Sequence, residues 1–272
     1  MITRCLDPCC PERILEYIGD DFKCTPYLYI NIKRYGVSDP NVKVWIDSDG
    51  AHISGVYLMY YDCLHFYTKE SGAYPHEVFL SMLTECRPKV FMVQRQFGDR
   101  LEPGAFGSFK LIKTHLVALQ MSSHGKRDDR VQLVERKDLR EIAALMLTDR
   151  SRAATYEQDI LVAQLEARYD DQFSRSFVLR QDGAAAAVYS TYGETDKVVM
   201  LGGLITLPQY RRQGLARAVM EHVYSVVGSE TATGISLIDC TNGPSIELHK
   251  KTGFSFFSSI YKFVANDRGS SS

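Results

Sequence analysis

Residues 198–227, VVMLGGLITLPQYRRQGLARAVMEHVYSVV, constrain this chain more than any other stretch. An apolar run ends near Pro208, a basic turn containing Gly214 comes next, and a helical pattern begins at Leu215. A strand feeding a helix through a tight turn leaves the first amides of that helix without acceptors. The helix dipole adds positive potential at the same place. Gly214 has no Cβ, so an anion can approach the backbone closely, and Arg211, Arg212 and Arg217 bring charge to the rim. The same residues also suit a solvated surface turn, so the choice depends on the residues downstream of α-helical pattern and turn alike.

Residues 234–240, GISLIDC, read as a short strand, and Asn242-Gly243-Pro244-Ser245 opens a helical segment. Pro244 fits the first helical turn and Gly253 its C-terminal cap, after which residues 254–264 read as a last strand. Arg211-Arg212-Gln213-Gly214-Leu215-Ala216 fits the pattern Arg/Gln-x-x-Gly-x-Gly/Ala. With the Asn-x-x-Ser helix and the Gly253-Phe254 step, the order over residues 131–265 resembles the GNAT superfamily of acetyl-CoA-dependent N-acetyltransferases.

The chain has 272 residues, which leaves room for two domains. A net charge of −1 gives no global excess to argue for nucleic acid or for a polycationic partner. Arg4, Asp7 and Pro8 interrupt the N-terminus, and no run reaches the length of a membrane span, so neither a leader nor a membrane is expected. The expected location is cytoplasmic. Seven cysteines without regular spacing argue against a metal knuckle, and reduced thiols are expected.

Residues 122–130 are polar and aperiodic and read as a linker between residues 1–121 and 131–265, with 266–272 as a disordered tail. In the second half, Asp138 and Glu141 read as a capping box opening a helix with Leu139, Ile142, Ala143 and Met146 on its apolar face. Thr155 and Gln158 open a second helix, which runs to about Asp170. Asp182-Gly183 marks a hairpin, with Glu194 in the turn before the long strand. In the first half, residues 27–35, 42–47, 52–61, 63–68, 89–94 and 109–121 read as strands and 76–86 as a helix. Tyr57, Tyr60, Tyr61 and Tyr67 are read as strand packing. Asp49-Gly50-Ala51 and Asp182-Gly183-Ala184 sit at comparable points, which points to an internal duplication. In place of the arginine turn, however, the first half has Lys69–His76, with Glu70 opposing any phosphate.

The resemblance implies an α/β fold with a mixed, mostly antiparallel sheet flanked by helices, in two tandem GNAT-like domains, the first degenerate. It implies acetyl-CoA as co-substrate. Leu204, Ile205 and Thr206 would hold the pantetheine arm, and the amides of Arg212, Gln213, Gly214, Leu215, Ala216 and Arg217 the pyrophosphate. Asn242 and Ser245 match positions near the thiol. Where the family commonly has a proton-donating tyrosine, this chain has His249, readable as the general acid or as the partner of a backbone carbonyl. Tyr189 is a second catalytic candidate, and no general base declares itself. The expected acceptor is a primary amine of a small molecule or peptide; the joint carrying Arg150 and Arg152 reads first as a solvated loop, and otherwise as the border of a site favouring an acidic acceptor. The oligomeric state is left open, a homodimer being the one assembly considered. The rival expectation is a catalytically weak, acyl-CoA-binding regulatory protein.

Overall fold

The computed structural model describes residues 1–101, 108–121, 125–153, 157–170, 173–227 and 233–266, with backbone alone for 150 and 151. Thr155, the start of the expected linker and the 267–272 stretch of the expected tail lie outside the described residues. The chain divides into two compact units, each discontinuous in sequence. The first holds residues 1–116, 237–243 and 256–272, and the second 117–236 and 244–255.

In chain order the first repeat runs β1 (Ile2–Arg4), α1 (Cys10–Ile18), α2 (Pro26–Tyr35), β2 (Val42–Ser48), β3 (Ile53–Tyr60), β4 (Cys63–Tyr67), α3 (His76–Cys86), β5 (Val90–Gln94), α4 (Arg95–Gly98) and β6 (Phe109–Gln120). The second runs β7 (Val131–Leu133), α5 (Leu139–Met146), α6 (Arg150–Ala153), α7 (Gln158–Asp170), β8 (Ser176–Gln181), β9 (Ala184–Glu194), β10 (Val198–Thr206), α8 (Leu215–Val227), β11 (Thr233–Asp239), α9 (Gly243–Lys251) and β12 (Ser255–Ala265).

The first unit orders its strands β1-β2-β3-β4-β5-β12. β1 through β4 pair antiparallel, β4 and β5 parallel, and β5 and β12 antiparallel. The second unit repeats the scheme: β7 through β10 antiparallel, then β10 parallel to β11. This shared topology bears out the expected duplication more firmly than the thin sequence identity could.

Residues 27–35 are a helix, not the strand expected. Their alternating Tyr, Leu and Ile pattern favours a strand locally, yet Pro26 starts α2 and Gly36, at φ +63°, ends it with its N–H on Ile32 O. The helix buries Leu28 through Ile32 as one continuous run, so packing on more than one side overrides the local preference. The correction also gives both repeats a helix pair after their first strand. Cys5 and Cys10 are joined as a disulfide, so the expectation of reduced thiols fails for this pair. Of the four tyrosines, Tyr57 and Tyr67 are fully buried, whereas Tyr61 is an exposed turn residue at φ +52°.

In the second unit the capping box sits one turn earlier than expected. Glu135 and Asp138 close it around a 3-10 turn at Arg136–Asp138, which leads into α5. Glu141 is thereby free to accept the Ala185 N–H and to pair with Arg180. The expected apolar face of α5 is buried throughout and packs with Leu161 and Leu165 of α7 on Val178, Ala185 and Val188. Asp182 (φ +52°) and Gly183 (φ +79°) form the two-residue turn joining β8 and β9.

Candidate functional site

β10 and β11 pair over four residues, Val198 with Thr233 through Leu201 with Ser236, and the ladder then stops. Beyond it, among the described residues, Gly202, Ile205 and Thr206 pair with β9 alone, opposite Ser190, Val188 and Ala187. Gly203, at φ +66°, lies in a register irregularity between Gly202 and Ile205. A strand with one unpaired edge presents N–H and C=O groups to whatever enters beside it. Among the described residues the buried Thr206 Oγ1 meets no hydrogen-bond partner, an orphan of the kind a ligand satisfies.

Below the point of divergence the interior is closed. Ser236 Oγ donates to Leu201 O at 3.2 Å, and the Tyr189 hydroxyl lies 3.4 Å from Ser236 Oγ. Tyr189 is fully buried against Tyr224, and burial pushes its pKa up to about 12. It is a core residue, not a group open to a substrate, which corrects its place among the catalytic candidates.

The turn after β10 is built by its backbone. Pro208–Tyr210 make a 3-10 turn, and Arg211 Nε donates to Thr206 O at 3.1 Å. Arg212 (φ +62°) and Gly214 (φ +81°) both take left-handed conformations. A Cβ at Gly214 would meet nothing within 4 Å. Gly214 is therefore required by its backbone angle and faces open space. α8 then starts, with the Ala218 N–H on Gly214 O as its first helical bond, so the preceding amides have no acceptor within the helix. Leu215, Val219, Met220, Val223 and Val227 bury one stripe and fix the helix on the sheet. Gln213 is held by Gln181 and by its own amide on Gln209 O, and Arg217 pairs with Glu221 at 2.6 Å. Ala216 is half-buried, and Arg211 and Arg212 are exposed.

Asn242 is exposed and its N–H bonds Asp239 O. Ser245 lies in the first turn of α9. His249 Nδ1 lies 2.8 Å from Ser245 O, and since a carbonyl only accepts, Nδ1 carries the proton. Burial among neighbours including Phe254 pushes its pKa down, against the opposing effect of the Ser245 carbonyl. A neutral ring with its proton on Nδ1 has none at Nε2 to give. Of the two readings the sequence left open, the structure supplies the carbonyl partner, and the general-acid reading is corrected accordingly.

Glu194 is not the surface turn residue expected. It ends β9, half-buried, where Arg175 grips it with Nε at 2.9 Å and Nη2 at 2.6 Å, and Thr191 Oγ1 donates to it. Pattern reading also passed over Tyr192. Its ring covers the divergent strand so closely that a Cβ at Gly202 would lie 2.5 Å from Tyr192 Cε2, and one at Gly203 2.6 Å from its hydroxyl. Arg152 Nη1 reaches that hydroxyl at 3.4 Å, and the Arg168 guanidinium stacks 5.0 Å from the ring centre. The Gly202-Gly203 pair was the available signal, since paired glycines inside a strand mark close approach.

In the first unit β4 likewise pairs with β5 over only three residues, Cys63 with Val90 through His65 with Met92, but the turn that follows is filled from within. Between β4 and α3 the Tyr74 ring fills the space beside Gly55, where a Cβ would meet it at 2.8 Å. The Tyr74 hydroxyl lies 2.9 Å from both Tyr57 and Asp47. Arg100 closes over the turn by donating to Ser71 O.

Residues 138–254, which hold the parting strand, the left-handed glycine turn and the helix after it, match the family model Acetyltransferase (GNAT) family. Those residues form a GNAT acetyltransferase domain. A Drosophila protein of solved structure matches at TM-score 0.67 and 15% identity, over 97% of this chain and 98% of its own. A tandem GNAT protein from the clavulanic acid biosynthesis pathway matches at TM-score 0.56 and 12% identity, over 97% and 98%. A GCN5-related N-acetyltransferase from Sphaerobacter thermophilus matches at 0.61 and 10%, over 96% and 94%. At these identities the likeness is one of fold, and it extends beyond the GNAT domain to a second GNAT-like repeat before it. No curated protein sequence matches the chain. Among the described residues no helix is long and apolar enough to cross a membrane, and no group of acidic, His or Cys side chains is arranged to hold a metal.

Proposed function

We propose that the second GNAT-like domain binds acetyl-CoA and transfers the acetyl group to an amine by direct attack in a ternary complex. The observation that carries this is the unpaired edge of β10 running into the Gly214 turn, with the buried orphan hydroxyl of Thr206 beside it. The residues present fit the co-substrate. The edge of Leu204, Ile205 and Thr206 suits the amide-bearing arm. The free amides at the start of α8, with the Arg211 and Arg212 guanidiniums at the rim, suit the pyrophosphate. When bound, acetyl-CoA supplies an activated thioester.

Around it the chain's own groups orient and exclude water. Tyr192 walls the glycine pair, and Arg152 and Arg168 hold that ring from the α6–α7 side, where the amine would enter. Titrating acetyl-CoA into wild type and Gly214→Asp tests the reading. Binding in the wild type that is lost in the variant supports it, because a carboxylate would point into the open space where the phosphates sit. Absence of binding in the wild type would overturn it.

A second reading, an acyl-CoA-binding protein with little turnover, is favoured by one specific observation. Both proton-handling candidates, His249 and Tyr189, are buried and engaged. Tight CoA binding without release of thiol across an amine panel would select it.

A further inference from the structure

Residues 125–130, which read as linker, are instead strapped along α8. Gly125 packs so closely on that helix that a Cβ would lie 2.3 Å from the Ser225 backbone. One turn nearer the N-terminus, the Lys126 N–H donates to Glu221 O at 3.0 Å. The Asp128 N–H donates to His222 Nδ1 at 3.1 Å. These three attachments fix the backbone between them, so Lys126 and Arg127 are presented in a set place.

That place is the side of the α8 turn. Lys126, Arg127, Asp128, Gly214, Arg217, Ala218 and Glu221 line one cavity of about 200 Å³. The charges around it do not cancel. Arg217 is matched by Glu221 at 2.6 Å and Asp128 by Arg130 at 2.6 Å. Lys126 and Arg127 are exposed, and no ion pair engages either side chain among the described residues. Two uncompensated cations therefore border a cavity that opens onto Gly214, beside the amides that would take a diphosphate. A ligand whose diphosphate sits on those amides, with a further phosphate a short distance away, matches this distribution.

We infer that Lys126 and Arg127 form a subsite for a second phosphate group, the 3′-phosphate of CoA, and so make the site select CoA over its dephosphorylated form. The inference rests on the reading of the α8 turn as an acyl-CoA site. The strap gives the subsite its rigidity: held at Gly125, Lys126 and Asp128, it places two long side chains with less loss of freedom than a loose loop would allow.

The test is calorimetric titration of CoA and of dephospho-CoA into the full chain and into the double variant Lys126→Gln, Arg127→Gln. Both positions are exposed, so the fold is not at stake. The wild type is expected to prefer CoA by about tenfold, the size of two exposed charge pairs acting together. The preference should shrink as salt is raised. In the double variant the two ligands should bind alike, at the wild-type affinity for dephospho-CoA. Equal binding of both ligands by the wild type would overturn the subsite while leaving the CoA site standing. An equal loss for both ligands in the variant would also overturn it, assigning the two cations to the diphosphate. Failure of the wild type to bind either ligand would overturn the site itself.

Discussion

Thr206 and Gly214 show how different demands are met within one short segment. Gly214 is needed for a backbone angle of +81°, which costs a side-chain-bearing residue about 1–2 kcal/mol. Thr206 has a buried hydroxyl that meets no partner among the described residues. Thr206→Val swaps that hydroxyl for a methyl of similar shape, and removing an unsatisfied group is neutral or stabilising. The variant should unfold at the same urea concentration as wild type, or a higher one. Its acetyl-CoA affinity should fall by about threefold to tenfold, the worth of one hydrogen bond. A drop in stability with unchanged affinity would mean the hydroxyl serves the fold. The left-handed turn at Gly214 could be read from the sequence because a motif is local. His249 could not be settled there, since its proton is assigned by the carbonyl four residues earlier and by burial.

At the scale of elements, the divergence of β10 from β11 is the feature the site depends on, and Gly203 lies in the irregular stretch of β10. Gly203 and Gly183 both sit at positive φ, but only Gly203 has a neighbour in the way, the Tyr192 hydroxyl at 2.6 Å. Gly183→Ala should therefore lose about 1–2 kcal/mol from the backbone alone and leave acetyl-CoA affinity unchanged. Gly203→Ala should lose more and also weaken binding, since either Tyr192 or the strand must move. Urea unfolding and titration of the two variants side by side would check both halves. The strands around this point were legible in period and turn chemistry, and the Asp182-Gly183 hairpin stands where its dipeptide puts it. The α2 segment was not legible. An alternating, β-prone run became a helix because Pro26 and Gly36 bracket it and its neighbours bury five consecutive positions.

The whole molecule repeats one topology twice and uses the copies differently. The second copy opens at its β10–α8 turn, while the first fills the equivalent place with Tyr74 and a dense aromatic cluster that includes Phe66, Phe79 and Phe97. Burial in the first copy has a further consequence through His65, whose pKa is pushed down to about 4 chiefly by desolvation and also by Lys262. Above the ordinary histidine value of about 6.5 the ring is neutral whether folded or not, so this group leaves stability intact. As pH falls from there towards about 4, the unfolded chain takes up a proton that the folded chain refuses, and stability drops by about 3 kcal/mol. Urea midpoints measured across that window should fall in wild type and fall less in His65→Gln; equal slopes would place the acid sensitivity elsewhere. The sequence by itself determined the strand–turn–helix of the second copy, the order of its elements and the absence of an arginine turn in the first, because each depends on residues close together in the chain. Only the tertiary structure decided that α2 is a helix, that Tyr189 and His249 are interior, that Tyr192 walls the glycine pair and that the supposed linker is bound to α8. Each of those turns on what packs against a residue from far along the chain, which no local pattern records.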